Sequence, residues 1–514
     1  MTTSEALPLE RTFDELYSVS DLHLGGLGAD HQIFKEGSRL AAFIRTLIDP
    51  WQDKSVALVL NGDVVDFLAE DKTDVFDPSG AISKLTRIIG DDAFKPVWEA
   101  LRDYIRTDIP AEPTDDPPIQ RRTLVFVLGN HDIELAMPHV QTWLETWLGQ
   151  DDDAARGRIV WATQGAGFTA LVGGRRVLCL HGNEGDEWNL VDHLALLQAA
   201  RAYNRGMPPP DWRSNAGSQL VVDVMNPIKA EMPFVDLLKP EVEAALPILA
   251  ALRPSALKKL GAIASLKGRS WVDSVRRWGG FLGDEEATAN TAAHEQSGEE
   301  LVREMLMKLD VDGAPATDIE KRMRQLQERI ERNPDRSTSG DMAGYLGENT
   351  LFGKDPNEVL RAALRLWMGS DQTFNVHNED KPFKQLKGLV GNDVHFLIAG
   401  HTHLRRALKR QGSGCYYYNT GTWIRLIQLD KDTLDDKAAF STFVQALKES
   451  KSLRVLDKIV SSKGKALIRV EPTVAVIVAE ANGATGTLND VEQNGALTPV
   501  KDTLFTSPPK ASAP

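Results

Sequence analysis

The chain has 514 residues, 42% hydrophobic and 26% charged, enough for one large core and at least one accessory region. A formal net charge of −14 excludes a global electrostatic footprint for nucleic acid, although a local basic patch is still open. Two cysteines favour buried thiols over a disulfide framework, and no uninterrupted apolar run approaches the ~18 residues of a membrane span.

Cys179 and Cys415 both lie in apolar, strand-like runs and read as buried structural thiols of a reducing compartment. The stretch Met1–Glu5 lacks a basic region followed by an apolar one, and the first strand begins by about Tyr17. No signal peptide is therefore expected, and the expected location is cytoplasmic.

In chain order, Tyr17–Ser20 is a short strand that ends in Asp21-Leu22-His23. Residues two apart on an extended backbone point the same way, so both polar side chains reach one point in space. A helix is expected over roughly His31–Ile48. The strand Ser55–Leu60 then runs into Asn61-Gly62-Asp63-Val64-Val65-Asp66, where a glycine turn delivers carboxylates. A helical region (about Asp92–Thr107) and a Pro/Asp-rich loop (Pro110–Pro118) lead to the apolar run Leu124–Leu128. That run reads as a buried strand and ends in Gly129-Asn130-His131-Asp132. An amide, an imidazole and a carboxylate are thus presented at a sheet's carboxyl edge, where open α/β sheets place their ligands. Asp66 and Asp132 also suit the simpler role of capping a following helix.

Further on, Phe168–Val172 and Arg176–Leu180 flank Gly173-Gly174, a two-residue hairpin signal, and the second strand ends in His181-Gly182-Asn183. From about Trp188 to Asn392 the chain is helix-rich, with helical periodicity at Leu190–Tyr203, Gln219–Glu231, Glu241–Leu252 and Asp318–Arg332. Strand character returns at Val394–Ala399, which ends in Gly400-His401-Thr402-His403. Cys415–Tyr418, Trp423–Leu429 and a β-rich piece over Ala466–Ala479 follow. The composition of Glu480–Pro514, dominated by Gly, Ala, Thr, Asn and Pro, predicts a disordered tail.

Side by side, the strand ends carry Asp21 and His23; Asp63 and Asp66; Asn130 and His131; His181; and His401 and His403. Carboxylate and amide oxygens mixed with imidazoles suit divalent Mn, Fe, Zn or Co rather than a thiolate metal or a calcium cage. The order of these motifs resembles the calcineurin-like metallophosphoesterase superfamily, whose pattern is D-x-H, G-D-x-x-D, G-N-H-[DE], H and G-H-x-H. Every ligand position is matched here, over residues 14–186 and 391–430.

The resemblance implies a four-layer α/β/β/α sandwich with a large helical cap insertion. It divides the chain into a first core part (1–186), a helical cap (187–390), a second core part (391–479) and the tail (480–514). It also implies two divalent ions, manganese first among the candidates, about 3.5–4 Å apart. By position, Asp21, His23 and His403 hold the first, Asn130, His181 and His401 the second, and Asp63 bridges them. The resemblance further implies that a hydroxide shared by the ions attacks a phosphoester, a phosphodiester ahead of a monoester. His131 is the general acid, and Asp66 orients it.

The substrate class is less legible. Phe67 after Asp66 and Asp132 after His131 set the chain apart from the protein serine/threonine phosphatase branch. Ser20-Asp21-Leu22-His23-Leu24-Gly25 and the insertion before His401 are distantly similar to the UDP-diacylglucosamine hydrolases, which carry Arg where this chain has His131. An SbcD-type DNA or RNA nuclease is an alternative, disfavoured by the acidic balance, and a non-catalytic binding scaffold is another.

Residues 253–281 form a basic amphipathic stretch that suits an anionic membrane surface, nucleic acid, or a packed lid or dimer helix. Arg405, Arg406, Lys409 and Arg410 either add positive potential for an anionic substrate or form a solvated hairpin edge. His193, Glu184, Asp186, Glu187 and Asn189 either line the substrate pocket or form a polar loop rim. His31, His139, His294, His377 and His395 fit no motif and read as structural or solvent-facing. Oligomeric state is not legible.

Overall fold

The computed structural model describes residues 11–48, 54–70, 74–107, 122–186, 189–208, 374–428, 431–449, 451–460 and 466–508, with isolated residues between 210 and 222, 226–229, 232–239, 357, 360, 361 and 464. The chain divides into two compact units: Met1–Ser218 with Phe374–Arg425 and Val470–Pro514, and Gln219–Thr373 with Leu426–Arg469. The fold is mixed α/β, with parallel and antiparallel pairing.

The strands of the first unit are β1 (Arg11–Phe13), β2 (Glu15–Val19), β3 (Val56–Asn61), β4 (Arg122–Val127), β5 (Ile159–Ala162), β6 (Phe168–Val172), β7 (Arg175–Cys179), β8 (Phe396–Ala399), β9 (Arg405–Lys409), β10 (Tyr416–Thr420), β11 (Thr473–Glu480), β12 (Gly483–Val491), β13 (Leu497–Pro499) and β14 (Phe505–Ser507). One sheet runs β1-β6-β7-β8-β10-β9. The other runs β13-β12-β11-β2-β3-β4-β5, with β14 also on β12. β2, β3, β4 and β5 are mutually parallel, as are β7, β8 and β10. The β6–β7 hairpin turns at Gly173 and Gly174, both at positive φ (54° and 69°), the backbone that a two-residue turn of this kind requires.

Inward side chains of both sheets meet in one apolar cluster. Ala57, Val59, Val125, Ala475 and Ile477 come from one sheet, and Phe168, Val177, Phe396, Ile398 and Tyr418 from the other. The central strands β3 and β4 are buried on both faces, which is why they read as continuous apolar runs rather than alternating ones. Helix α1 (Gly37–Thr46) lies between β2 and β3 in sequence, and helices α2 (Ala81–Gly90) and α3 (Lys95–Arg106) lie between β3 and β4. α1 sets Phe43 against Tyr17 of β2, with rings 6.1 Å apart. Tyr104 of α3 donates to Val56 O (3.1 Å). On the other sheet, α4 (Lys381–Leu389) buries Phe383 and Leu386 against Leu397 and Tyr417.

Within the second unit, Leu238–Lys239 pairs parallel with Leu426–Gln428, which pairs antiparallel with Ile468–Arg469. The helix Lys437–Glu449 buries Phe440, Phe443, Val444 and Leu447, the spacing of one helical face.

Several expectations change. The helix expected from His31 begins only at Gly37, and α2 was not anticipated. Leu426–Arg469, expected within the second core part, belongs instead to the unit containing Gln219–Thr373. The tail expected to be disordered from 480 contains β12, β13 and β14. Its small residues are a size match, since a β-carbon on Gly486 would lie 2.8–2.9 Å from Phe396, Ile477 and Tyr418. Aromatic rings occupy the room that small side chains leave, and Phe505 stacks on Tyr416 (4.6 Å, 8°). The expected helices at 241–252 and 318–332, the basic stretch 253–281 and His294 lie outside the described residues, as does most of the expected cap.

Candidate metal centre

Five strands from two sheets bring their carboxyl ends to one place. The pairing of β2 with β3 continues past both strands: Asp21 N–H donates to Gly62 O (3.1 Å), His23 N–H to Asp63 O (2.9 Å), and Leu24 N–H to Val64 O (2.9 Å). His131 N–H from the β4 end donates to Asp63 Oδ1 (2.9 Å). Across the other sheet, Gly400 N–H donates to His181 O (2.7 Å), and His401 N–H donates to both oxygens of Asp21 (2.9 and 3.0 Å).

Glycine matters at two of these ends. A β-carbon on Gly129 would collide with the Asp63 carboxylate, and one on Gly400 with Asp21 and Ser20. The clustered Asp and His residues themselves carry backbone strain. Asp21 (φ 52°), His23 (47°), Asp63 (51°), His401 (70°) and His403 (60°) are all left-handed, a region that residues other than glycine seldom occupy.

The side chains form three groups whose nitrogen and oxygen atoms lie close together, the first and third sharing His23: Asp21, His23 and His403; Asp63, His181 and His401; and His23, Asp66 and His131. His403 Nε2 lies 3.3 Å from Asp21 Oδ1 and 3.1 Å from His23 Nε2, and His23 Nε2 is 3.9 Å from Asp63 Oδ2. His181 Nε2 is 3.1 Å from Asp63 Oδ2. Asp63 thus faces an imidazole of each group. Asp66 reaches two imidazoles at once, with Oδ1 3.1 Å from His131 Nδ1 and Oδ2 3.2 Å from His23 Nδ1. Its Oδ1 also accepts from Ala69 N–H, so the capping role and the orienting role coexist.

Asp132 is not a helix cap. Its buried carboxyl accepts from Val64 N–H (2.8 Å) and Gly129 N–H (2.7 Å), stapling two of the motif loops together.

The electrostatics follow from burial against charge. Burial alone raises the Asp63 carboxyl, but His181 and His131 outweigh it and hold Asp63 well below the usual carboxylate range. Asp21 is likewise lowered by His403 despite its burial, and Asp66 by His131 and His23. Burial opposes the charge on His181, yet Asp63 wins and pushes it up to about 10. Asp132 moves the other way, up to about 7, through burial and then the charge of Asp63.

The donor set fits divalent cations. One buried atom expected as a ligand, Asn130 Oδ1, makes no hydrogen bond, although burial ordinarily demands one. His181 Nδ1 lies 3.0 Å from Asn61 O and acts as the donor, which leaves Nε2 facing Asp63 Oδ2. Asp21, His23, Asp63, Asp66, Asn130 and His181 are buried, whereas the His131, His401 and His403 side chains are 17%, 11% and 14% exposed and mark the open rim.

Sequence reasoning missed the brace that holds this cluster. Asn419 Nδ2 donates to Gly400 O (2.6 Å) and Thr402 Oγ1 (3.1 Å), and Thr422 Oγ1 donates to Asp21 O (2.7 Å). The hydroxyls of Thr420 and Ser20 lie 2.6 Å apart. Asn61 Nδ2 ties the other side, donating to Leu180 O (2.8 Å). The available signal was Asn419-Thr420-Gly421-Thr422, small polar residues directly after an apolar strand.

The basic group after His403 is largely engaged elsewhere. Arg405 pairs with Asp490 (2.7 Å), buried Arg406 with Asp380 (2.9 Å), and Arg410 donates to Val394 O (2.9 Å). His395 and His377 bond backbone or arginine, and His139 stacks on Tyr203. Of the residues after His181, Asp186 reaches the cluster, its Oδ2 3.0 Å from His401 Nε2. No family model, curated protein or solved structure matches the chain. Among the described residues, no helix is long and apolar enough to cross a membrane.

Proposed function

We propose that this chain is a dinuclear metal-dependent phosphoesterase of the calcineurin-like type, acting on a phosphodiester. In this reading the two sheets and their helices are the α/β/β/α sandwich of that superfamily, and residues 187–390 supply a cap. The observation that carries it is the meeting of His23, His181, His401 and His403 around the buried carboxylates of Asp21 and Asp63, with buried Asn130 Oδ1 left without a hydrogen bond. The buried free thiols Cys179 and Cys415 suit a reducing compartment, the cytoplasm in this reading.

Asp21, His23 and His403 would hold one ion, Asn130, His181 and His401 the other, and Asp63 both. Bound there, the pair supplies a hydroxide nucleophile at neutral pH and neutralises charge on the phosphoryl group. The remaining chemistry belongs to the chain. Asp66 holds His131 at Nδ1, which reserves Nε2 to give its proton to the leaving oxygen. His131 sits at the open rim, where that oxygen arrives.

Purification with Mn²⁺ should give two ions per chain and hydrolysis of an aryl phosphodiester. Asp63→Ala is expected to abolish turnover, and His131→Ala to lower it by about 10²–10⁴-fold while keeping both ions. Full turnover in Asp63→Ala, or a metal-free wild type, refutes the assignment.

A further inference from the structure

Asp186 lies outside every motif described above, yet its carboxylate contacts one of them. Oδ2 is 3.0 Å from His401 Nε2, and the same oxygen accepts from Asn189 Nδ2 (2.7 Å). The carboxylate is fixed by its own loop. Asp186 N–H donates to Asn183 O (3.0 Å), Asn189 N–H returns to Asp186 O (3.0 Å), and Asn183 Nδ2 donates to Asn189 O (2.9 Å). The loop begins at His181, through Gly182 at φ 113°, whose N–H donates to Glu184 Oε2 (2.8 Å). One short loop therefore starts at one imidazole of the second group and ends by gripping the other.

We infer that Asp186 is a positioning residue for the second ion: it takes the Nε2–H of His401, fixing the tautomer in which Nδ1 is the ligand atom. A histidine has one nitrogen to donate to an acceptor and one to offer a cation, and a carboxylate on the first raises the basicity of the second. His181 follows the same rule with its nitrogens exchanged, since Asn61 O takes Nδ1 and leaves Nε2. The neighbouring imidazoles are thus presented in opposite tautomers, each set by its own acceptor. The sequence offered Asp186 only as one of several polar residues on a loop rim. The contact with His401 separates it from Asn189 and Glu184, which bond within the loop.

The inference rests on the proposed metal centre, and the test separates the two. Mn²⁺ binding to the full chain is followed by titration and by electron paramagnetic resonance, whose exchange-coupled signal requires both ions. Wild type is expected to take up two ions. Asp186→Ala should weaken the second by about 10–100-fold, leave the first unchanged, and replace the coupled signal by that of an isolated Mn²⁺. Asp186→Asn, which keeps an acceptor oxygen, should restore most of the second-site affinity. Asp186→Ala with wild-type affinity at both sites overturns the inference and leaves the metal centre standing. Asp186→Asn as weak as Asp186→Ala overturns the tautomer assignment. Wild type that binds no pair of ions overturns the proposed function and this inference with it.

Discussion

Asp21, His23, Asp63, His401 and His403 sit in a backbone conformation that costs of order 1–3 kcal/mol each, and the strand ends around them hold it in place. The residue types were legible because each polar group follows an apolar run. Their left-handed backbone was not, since nothing in an Asp or His side chain announces φ near +50°. The functions of Asp66 and Asp132 were only half legible, because a carboxylate after a strand suits a cap, a ligand and a staple alike.

Glu134, which belongs to none of the three His/Asp groups, gives a separate test of buried charge. Oε1 accepts from Asp77 N–H (2.9 Å), Oε2 has no hydrogen bond, and burial pushes the carboxyl up to about 7. A carboxyl raised above its unfolded value favours the folded state when protonated. Its contribution is complete below about 4.5 and is lost as pH rises through about 7. Glu134→Gln should therefore match wild type near pH 4.5 and exceed its stability by up to about 3 kcal/mol at pH 8. Parallel pH profiles for the two proteins would reject this.

At the scale of elements, β3 and β4 were readable as buried strands, and the Gly173-Gly174 hairpin formed as its glycines required. β12 was not readable, because a strand of small residues looks like a linker until the rings that fill its surface are known. Gly486→Ala puts a β-carbon against Phe396, Ile477 and Tyr418 and is expected to cost about 1–3 kcal/mol in denaturant unfolding. Gly90→Ala, at the end of α2 with open space around it, should be neutral or slightly stabilising. Equal effects at the two sites would mean that β12 does not pack as described. The placement of Leu426–Arg469 escaped the sequence for a related reason: its strand partner is Leu238–Lys239, nearly two hundred residues away.

For the whole molecule, a site made of buried carboxylates and imidazoles couples ion binding to stability. Free Mn²⁺ at 100 times its dissociation constant should add about 2.7 kcal/mol over chelated protein, seen as a higher unfolding temperature. A melting curve that does not move on chelation would count against any ion at these residues.

His23 and His403 touch across 380 positions of sequence. Neither half of the first unit carries the complete cluster, so the proposed metal centre cannot assemble until the late strands have been made. Such distant closure is slow to reach, and an incomplete chain carries only part of the cluster. A break anywhere between the two imidazoles that lets the sheets part would scatter the cluster without altering any of its residues.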